Sequence, residues 1–136
     1  MVQTFRRRHS VLIVDDCDTM TQFLQEMLSF IGFVEIHVCG DGWEALDWLE
    51  EHEGRVDLVI SDWNMPEMTG LELLQKVRGT EQFARLPFLM ITGEAEVERI
   101  KEAMVAGADQ YIVKPFSLKI LQAKLDKVLG PEARTA

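Results

Sequence analysis

The sequence predicts an α/β domain in which a five-stranded parallel sheet carries helices on both faces. Short β-type runs alternate with helical patterns five times along the 136 residues. Three of these runs, VLIVD, VDLVIS and FLMIT, are almost continuously apolar, as is typical of strands buried on both faces. The length is close to that of one domain, and repeated βα units build parallel sheets through right-handed crossovers.

The five candidate strands are separated by helical stretches or turn residues. They are residues 11–15, 34–38, 56–61, 88–92 and 110–113. Ligands of open parallel sheets bind beyond the carboxyl ends of the strands. The residues at these ends are therefore the first place to look for chemistry.

Apolar residues at intervals of three and four indicate five helices between and after these strands. The five apolar patterns begin at Met20, Trp43, Leu71, Val97 and Leu118. Gly32, Gly79 and Gly107 are the predicted ends of the first, third and fourth helices, because glycine readily ends a helix. Ser117 is the predicted N-cap of the fifth.

Composition and charge exclude several classes of function. The formal net charge of -9 disfavours direct binding to nucleic acid or to anionic membranes. No apolar run approaches the roughly 20 residues of a membrane span, and the start of the chain does not resemble a signal peptide. We therefore expect a cytoplasmic protein. Cys17 and Cys39 match no metal-binding spacing, so we expect reduced thiols that serve packing.

Acidic, hydroxyl and basic side chains stand at the ends of four candidate strands. Asp15-Asp16 lies at the end of the first and Thr92 at the end of the fourth, while Asp62 and Lys114 directly follow the third and the fifth. Crowded carboxylates repel one another, and Mg²⁺, or Mn²⁺ in its place, accepts such oxygen ligands. An ammonium and a hydroxyl suit the oxygens of a phosphoryl group, which a carboxylate can accept as an aspartyl phosphate.

These motifs, taken in order, resemble those of the receiver domains of bacterial response regulators. The matching segments are VLIVDD, DLVISDWNMPEMTGLELL, FLMITGEA and GADQYIVKPF. The resemblance covers residues 9–130, the predicted receiver domain, and leaves tails at 1–8 and 131–136. Residues 62–66 are most similar to the chemotaxis subgroup. A flavodoxin-like fold with strand order 2-1-3-4-5 is implied by this resemblance.

The resemblance implies a role for each residue of the acidic set. Asp62 matches the phosphoryl acceptor. Asp16 and Asp62 would bind Mg²⁺ directly, together with the backbone carbonyl of Asn64, and Asp15 would act mainly through a bound water. Asn64 and Glu94 match positions that tune the hydrolysis of the aspartyl phosphate, which we expect to be short-lived.

The resemblance also implies the remaining catalytic and switching groups. Thr92 and Lys114 would contact the phosphoryl group on Asp62, and Pro115 would follow a cis peptide bond that places Lys114. Thr92 and Tyr111 would form the switch, although Tyr111 could be a half-buried strand aromatic and nothing more. The donor would be a sensor histidine kinase, a phosphotransfer protein or a small phosphodonor.

An effector protein, for which a flagellar switch protein is the candidate, would bind a surface formed by the fourth helix, fifth strand and fifth helix. In this reading the domain catalyses its own phosphorylation and dephosphorylation, not the turnover of a diffusible metabolite. The alternatives are a receiver cut from a longer multidomain regulator, a receiver that is never phosphorylated, and a haloacid-dehalogenase-like phosphatase. The phosphatase would carry its phosphate on Asp16. Its motif, D-x-D-x-[TV], nearly fits residues 16–20, but Met20 stands where the motif has Thr or Val.

Overall fold

A computed structural model of the chain describes residues 10–93 and 97–130, and these contain five strands. The strands are β1 (Ser10–Val14), β2 (Glu35–Cys39), β3 (Leu58–Asp62), β4 (Phe88–Thr92) and β5 (Gln110–Val113). All neighbouring strands are parallel, and their order across the sheet is β2-β1-β3-β4-β5. The predicted fold class and the strand order implied by the resemblance are confirmed.

Five α-helices join and follow the strands, as predicted. They are α1 (Asp18–Ile31), α2 (Gly42–Glu51), α3 (Gly70–Arg78), α4 (Val97–Ala106) and α5 (Leu118–Leu129). A short 3₁₀ helix, Glu81–Phe83, precedes β4 and was not predicted. None of the helices in the described part of the chain is long and apolar enough to cross a membrane.

The helices cover both faces of the sheet and form two separate cores. On one face α1 and α5 pack against β1, β3, β4 and β5 through a buried cluster that includes Leu28, Ile60 and Leu121. On the other face α2, α3 and α4 pack through a second cluster that includes Leu49, Leu74 and Ala103. Burial on both sides explains why the central strands are almost continuously apolar.

The helix ends follow their local sequence signals. The Ser117 hydroxyl accepts a hydrogen bond from the backbone N–H of Ile120 at 3.2 Å, so the predicted N-cap of α5 is confirmed. Gly32 and Gly107 follow α1 and α4 with φ angles of 128° and 107°. Glycine adopts such angles without the steric cost that a Cβ atom would impose.

The predicted boundary of β3 was wrong at both ends. β3 begins later than predicted because the Ser10 N–H donates to the Asp57 carboxylate at 2.8 Å. In a continued strand a backbone carbonyl would accept this hydrogen bond. At the carboxyl end Asp62 is the last residue of β3 and is in register with Ile91 of β4. The first two predicted strands are each displaced by one residue, and β4 and β5 lie where predicted.

The apolar spacing identified the helices but not always their buried face. Trp43 of α2 is 53% exposed, and Val97 and Met104 of α4 are 61% and 40% exposed. Ala103 is the one buried residue of α4. Thus α4 contributes little to the core and presents much of its apolar surface to solvent.

Candidate functional site

The carboxyl ends of β1 and β3 bring three acidic side chains together. Asp15 and Asp16 directly follow β1, and Asp62 ends β3. One carboxylate oxygen from each of the three lies within 4.8 Å of the other two. Asp15 and Asp62 are buried, whereas Asp16 is exposed. Among the residues that the structure describes, this is the one cluster of acidic, His or Cys ligands suited to a metal ion.

Lys114 provides the positive charge of this pocket. Its Nζ atom lies 3.1 Å from Oδ1 of Asp62. The same oxygen accepts a hydrogen bond from the backbone N–H of Trp63 at 3.0 Å. The Lys114 N–H donates to the Thr92 carbonyl at 2.8 Å, and the peptide bond between Lys114 and Pro115 is cis. These bonds tie the ends of β3, β4 and β5 to one carboxylate.

Asp15 is held in place but incompletely satisfied. Its Oδ1 atom accepts the backbone N–H of Cys17 at 2.9 Å, while its buried Oδ2 atom has no hydrogen-bond partner among residues 10–93 and 97–130. Burial raises the pKa of Asp15 above its ordinary value, and the charge of Asp62 raises it further; the Cys17 N–H and the Lys114 ammonium act in the opposite direction. A pocket with these properties favours an added cation.

Gly70 lets α3 begin against the backbone of Asp62. A Cβ atom at this position would overlap the Asp62 carbonyl oxygen, and the Gly70 N–H donates to the Trp63 carbonyl at 2.8 Å. The start of α3 therefore packs directly against the end of β3. The sequence reading assigned Gly70 no positioning role, although a glycine at the first position of a helix signals close backbone contact.

The two proposed switch residues lie on neighbouring strands. Thr92 is buried at the end of β4, in register with Val113 of β5. Tyr111 is half-buried, and the Nζ atom of Lys124 on α5 lies 4.4 Å from the centre of its ring. Tyr111 thus contacts α5 through Lys124. Tyr111 also packs against the second core, on the face covered by α2, α3 and α4.

The remaining candidates are the two predicted tuning residues and the two cysteines. Asn64 is exposed on the loop after β3, and Glu94 lies outside the described residues. The expectation that Cys17 serves packing was wrong, because Cys17 is exposed directly before α1. Its backbone N–H donates to the Asp15 carboxylate. Cys39 is buried as expected, and burial raises its pKa to about 12.

Comparisons with known proteins agree with this geometry. Residues 11–126 match the family described as response regulator receiver domain. The chain is 43% identical to the chemotaxis protein CheY of Pseudomonas aeruginosa over 118 residues, which is 87% of this chain and 94% of that protein. It is also 43% identical to CheY-3 of Vibrio cholerae over 128 residues, covering 94% of this chain and 97% of the relative.

Solved structures show the same likeness. Vibrio cholerae CheY4 superposes with a TM-score of 0.81 and 37% identity, over 90% of this chain and 99% of that one. The CheX-CheY-BeF₃-Mg complex of Borrelia burgdorferi matches with a TM-score of 0.83 and 28% identity, over 89% of both chains. This chain therefore belongs to the response regulator receiver family and is a CheY-like receiver domain.

Proposed function

We propose that this domain is a phosphorylation-dependent switch in which Asp62 accepts a phosphoryl group in a Mg²⁺-dependent reaction. One observation carries the proposal: three carboxylates and one ammonium from separate strand ends converge on the same pocket. The Oδ2 atom of Asp15, buried and without a partner in the part of the chain that the structure describes, supports a pocket that takes up a further ligand.

The donor set fits a hard divalent cation. The carboxylates of Asp15, Asp16 and Asp62 and the backbone carbonyl of Asn64 would hold Mg²⁺, or Mn²⁺ in its place. When bound, the ion supplies positive charge that stabilises the oxygens of a transferring phosphoryl group. Asp16, which is exposed, leaves the pocket open to water and to a phosphodonor.

The side chains of the pocket account for both half-reactions. In the first, a carboxylate oxygen of Asp62 bonds to phosphorus while the bond from phosphorus to the donor, a phosphohistidine nitrogen or a small phosphodonor, breaks. Lys114 pairs with a phosphoryl oxygen, and the Thr92 hydroxyl donates to another. In the second, water attacks phosphorus, and the bond to Asp62 breaks to return the carboxylate and release phosphate.

Asn64 and Glu94 would set the rate of this second step. Both follow a reacting residue by two positions, as in the chemotaxis subgroup that the sequence resembles. We infer a short-lived aspartyl phosphate.

We also infer that the receiver domain spans residues 9–130. The family match to residues 11–126 lies within these limits and supports them.

Phosphorylation would be read at the surface formed by α4, β5 and α5. Thr92 would move toward the phosphoryl group and Tyr111 would turn inward behind it, which changes this surface. The chemotaxis relatives support an effector protein as the partner, with a flagellar switch protein as the candidate. A net charge of -9 supports a protein that binds neither nucleic acid nor anionic membranes. We infer a cytoplasmic location from its membership of the receiver family.

Radiolabelled acetyl phosphate tests the proposal. With Mg²⁺ we expect covalent label on Asp62 of the unmodified chain, and no detectable label in Asp62→Asn or in the presence of EDTA. Asp47→Asn is the matched control, because Asp47 is an exposed carboxylate of α2. That variant should label fully.

The other outcomes identify the competing functions. Label on Asp16 in place of Asp62 would point to haloacid-dehalogenase-like chemistry. A chain that takes no label from acetyl phosphate or from a phosphorylated histidine kinase would be a binding module without a phosphoryl acceptor, and our proposal would be wrong.

A further inference from the structure

The first half of α4 contacts the loop after Asp62 through a cation and an aromatic ring. The guanidinium carbon of Arg99 lies 5.0 Å from the centre of the Trp63 ring. Such a separation is within the range of a cation–π interaction. Trp63 is only 6% exposed, and the Nη1 atom of Arg99 is buried, so the contact is shielded from water. Shielding strengthens the attraction between the cation and the ring.

Trp63 is bound to the acceptor site by its backbone. Its N–H donates to Oδ1 of Asp62 at 3.0 Å and to the Ile91 carbonyl at 2.9 Å, and its carbonyl accepts from Gly70. The residue that carries the ring is therefore fixed to the oxygen that Lys114 also contacts. A change at the Asp62 carboxylate alters the bonds of Trp63 directly.

The opposite end of α4 is anchored differently. The Arg78 side chain donates from Nε to the carbonyl of Gly107, directly after α4, at 3.0 Å. Between the two ends, Ala103 is the one buried residue of the helix. The hydrogen bond from Arg78 holds the carboxyl end of α4, and little of the helix is buried along its length. We therefore expect α4 to change orientation mainly at its amino end, where Arg99 contacts Trp63.

We propose that Arg99 is a positioning residue of the switch, which couples the state of the Asp62 site to the orientation of α4 through the Trp63 ring. The inference rests on the proposed function, because it needs Asp62 to change state. Phosphorylation adds negative charge one residue from the ring that Arg99 covers, so the guanidinium responds both to the charge and to any shift of the ring.

The test compares NMR signals with and without saturating beryllofluoride and Mg²⁺, which mimic the phosphoryl group. Backbone amides of Asp62 and Trp63 report on the site, and amides of residues 97–106 report on α4. In Arg99→Met we expect the site signals to respond to the ligand while the α4 signals shift at least about threefold less than in the unmodified chain. A helix that merely lost stability would show altered signals in both states, not a smaller difference between them.

Two further variants make the test specific. Arg99→Lys keeps the charge but loses the planar stacking group, so its α4 response should be intermediate. It also carries the test if Arg99→Met fails to fold, because an undiminished response in Arg99→Lys would then overturn the proposal. Lys101→Met removes a positive charge from an exposed position of the same helix and should respond as the unmodified chain does.

Three results would overturn the coupling. The first is a full α4 response in Arg99→Met, and the second is an equal loss in Lys101→Met, which would make the effect one of net charge. The third is an unmodified chain whose site signals ignore the ligand. That result refutes the proposed function itself, and it is recognised because the amide signals of Asp62 and Trp63 do not change when the ligand is added.

Discussion

The two ends of the sheet each hold a cluster of charged side chains, but only one cluster is complete within the protein. At the amino ends of β4 and β5, Arg78 donates to the carbonyls of Gly107 and Leu86 at 3.0 and 2.7 Å. It also lies 3.1 Å from Oδ2 of Asp109. That same Asp109 oxygen accepts the Phe88 N–H at 2.8 Å. Each of these charges is matched by a protein partner.

The cluster at the carboxyl ends is different. Within the described segments three carboxylates share one ammonium, that of Lys114, and Oδ2 of Asp15 is buried without a partner. A cluster that satisfies its own hydrogen bonds stabilises the fold, whereas one left unsatisfied is prepared for a ligand. We therefore expect the cluster at the amino ends to stabilise the fold and the cluster at the carboxyl ends to bind a ligand, and three substitutions test this difference.

Arg78→Met has the largest expected effect on stability. It keeps much of the side-chain volume but removes the Arg78 donors to three backbone carbonyls and the ion pair with Asp109, so we expect a loss of about 2–3 kcal/mol of unfolding free energy. Urea unfolding measures it. We call Arg78 and its partners the Arg78 clamp. The loss should be the same with and without Mg²⁺, because this clamp lies at the opposite end of the sheet from the acidic pocket.

Arg85→Met is the control for this substitution, since Arg85 is exposed and should cost less than about 0.5 kcal/mol. A loss in Arg78→Met no greater than in the control would remove the structural half of the comparison. A loss that depends on Mg²⁺ would show that the two clusters are coupled.

The sequence predicted the acidic pocket better than it predicted the clamp. Asp15 and Lys114 follow strands and Asp62 ends one, and parallel strands bring such positions to one end of the sheet. The partners of Arg78 are mostly backbone carbonyls, from Phe83, Leu86 and Gly107. Carbonyls are present at every residue and leave no pattern in the sequence, so the clamp appears only when the chain is folded.

The buried face of the helices was harder to predict for a related reason. Spacing shows that Val97 and Met104 fall on one side of α4, but not that this side faces solvent. The small residue Ala103 makes the close contact with the second core, and the larger side chains remain outside. Apolar periodicity finds a helix, and tertiary packing decides which apolar residues are covered.

Asp15→Asn has the next largest effect and depends on pH. In the metal-free protein the substitution replaces a buried, partly unsatisfied carboxylate by a neutral amide, so we expect a gain of about 1 kcal/mol near pH 7. The pKa of Asp15 is raised in the folded protein. The folded state therefore binds the proton more tightly than the unfolded state does, and this residue's contribution to stability falls as pH rises through the raised pKa.

The gain in Asp15→Asn should accordingly vanish as pH falls below the ordinary pKa of Asp, where the wild-type carboxyl is protonated in both states. Added Mg²⁺ should reverse the order of the two proteins at pH 7, because only the unmodified chain keeps the full acidic set. Thermal unfolding with and without Mg²⁺ measures both effects. Equal stabilisation of both proteins by Mg²⁺ would argue that Asp15 takes no part in holding the ion.

Glu67→Asn tests the comparison through the backbone and has the smallest expected effect. In the loops that lead into β2, β3 and β5, the residues with positive φ are all glycines, at positions 32, 54 and 107. On the loop that leaves β3, beside the acidic pocket, Glu67 has φ 66°. There the Met68 N–H donates back to the Pro66 carbonyl at 2.6 Å. Such backbone strain tends to gather at functional sites.

Asn tolerates positive φ better than Glu does, so Glu67→Asn should raise the unfolding free energy by about 0.5 kcal/mol. Glu53→Asn, in an exposed turn without positive φ, should leave stability unchanged. If Glu67→Asn gives no gain over this control, the left-handed residue is not strained, and the pocket differs from the rest of the sheet in charge alone. If it gives the gain and also changes the rate at which the Asp62 phosphate hydrolyses, the strain in this loop helps to hold Asn64 where the reaction needs it.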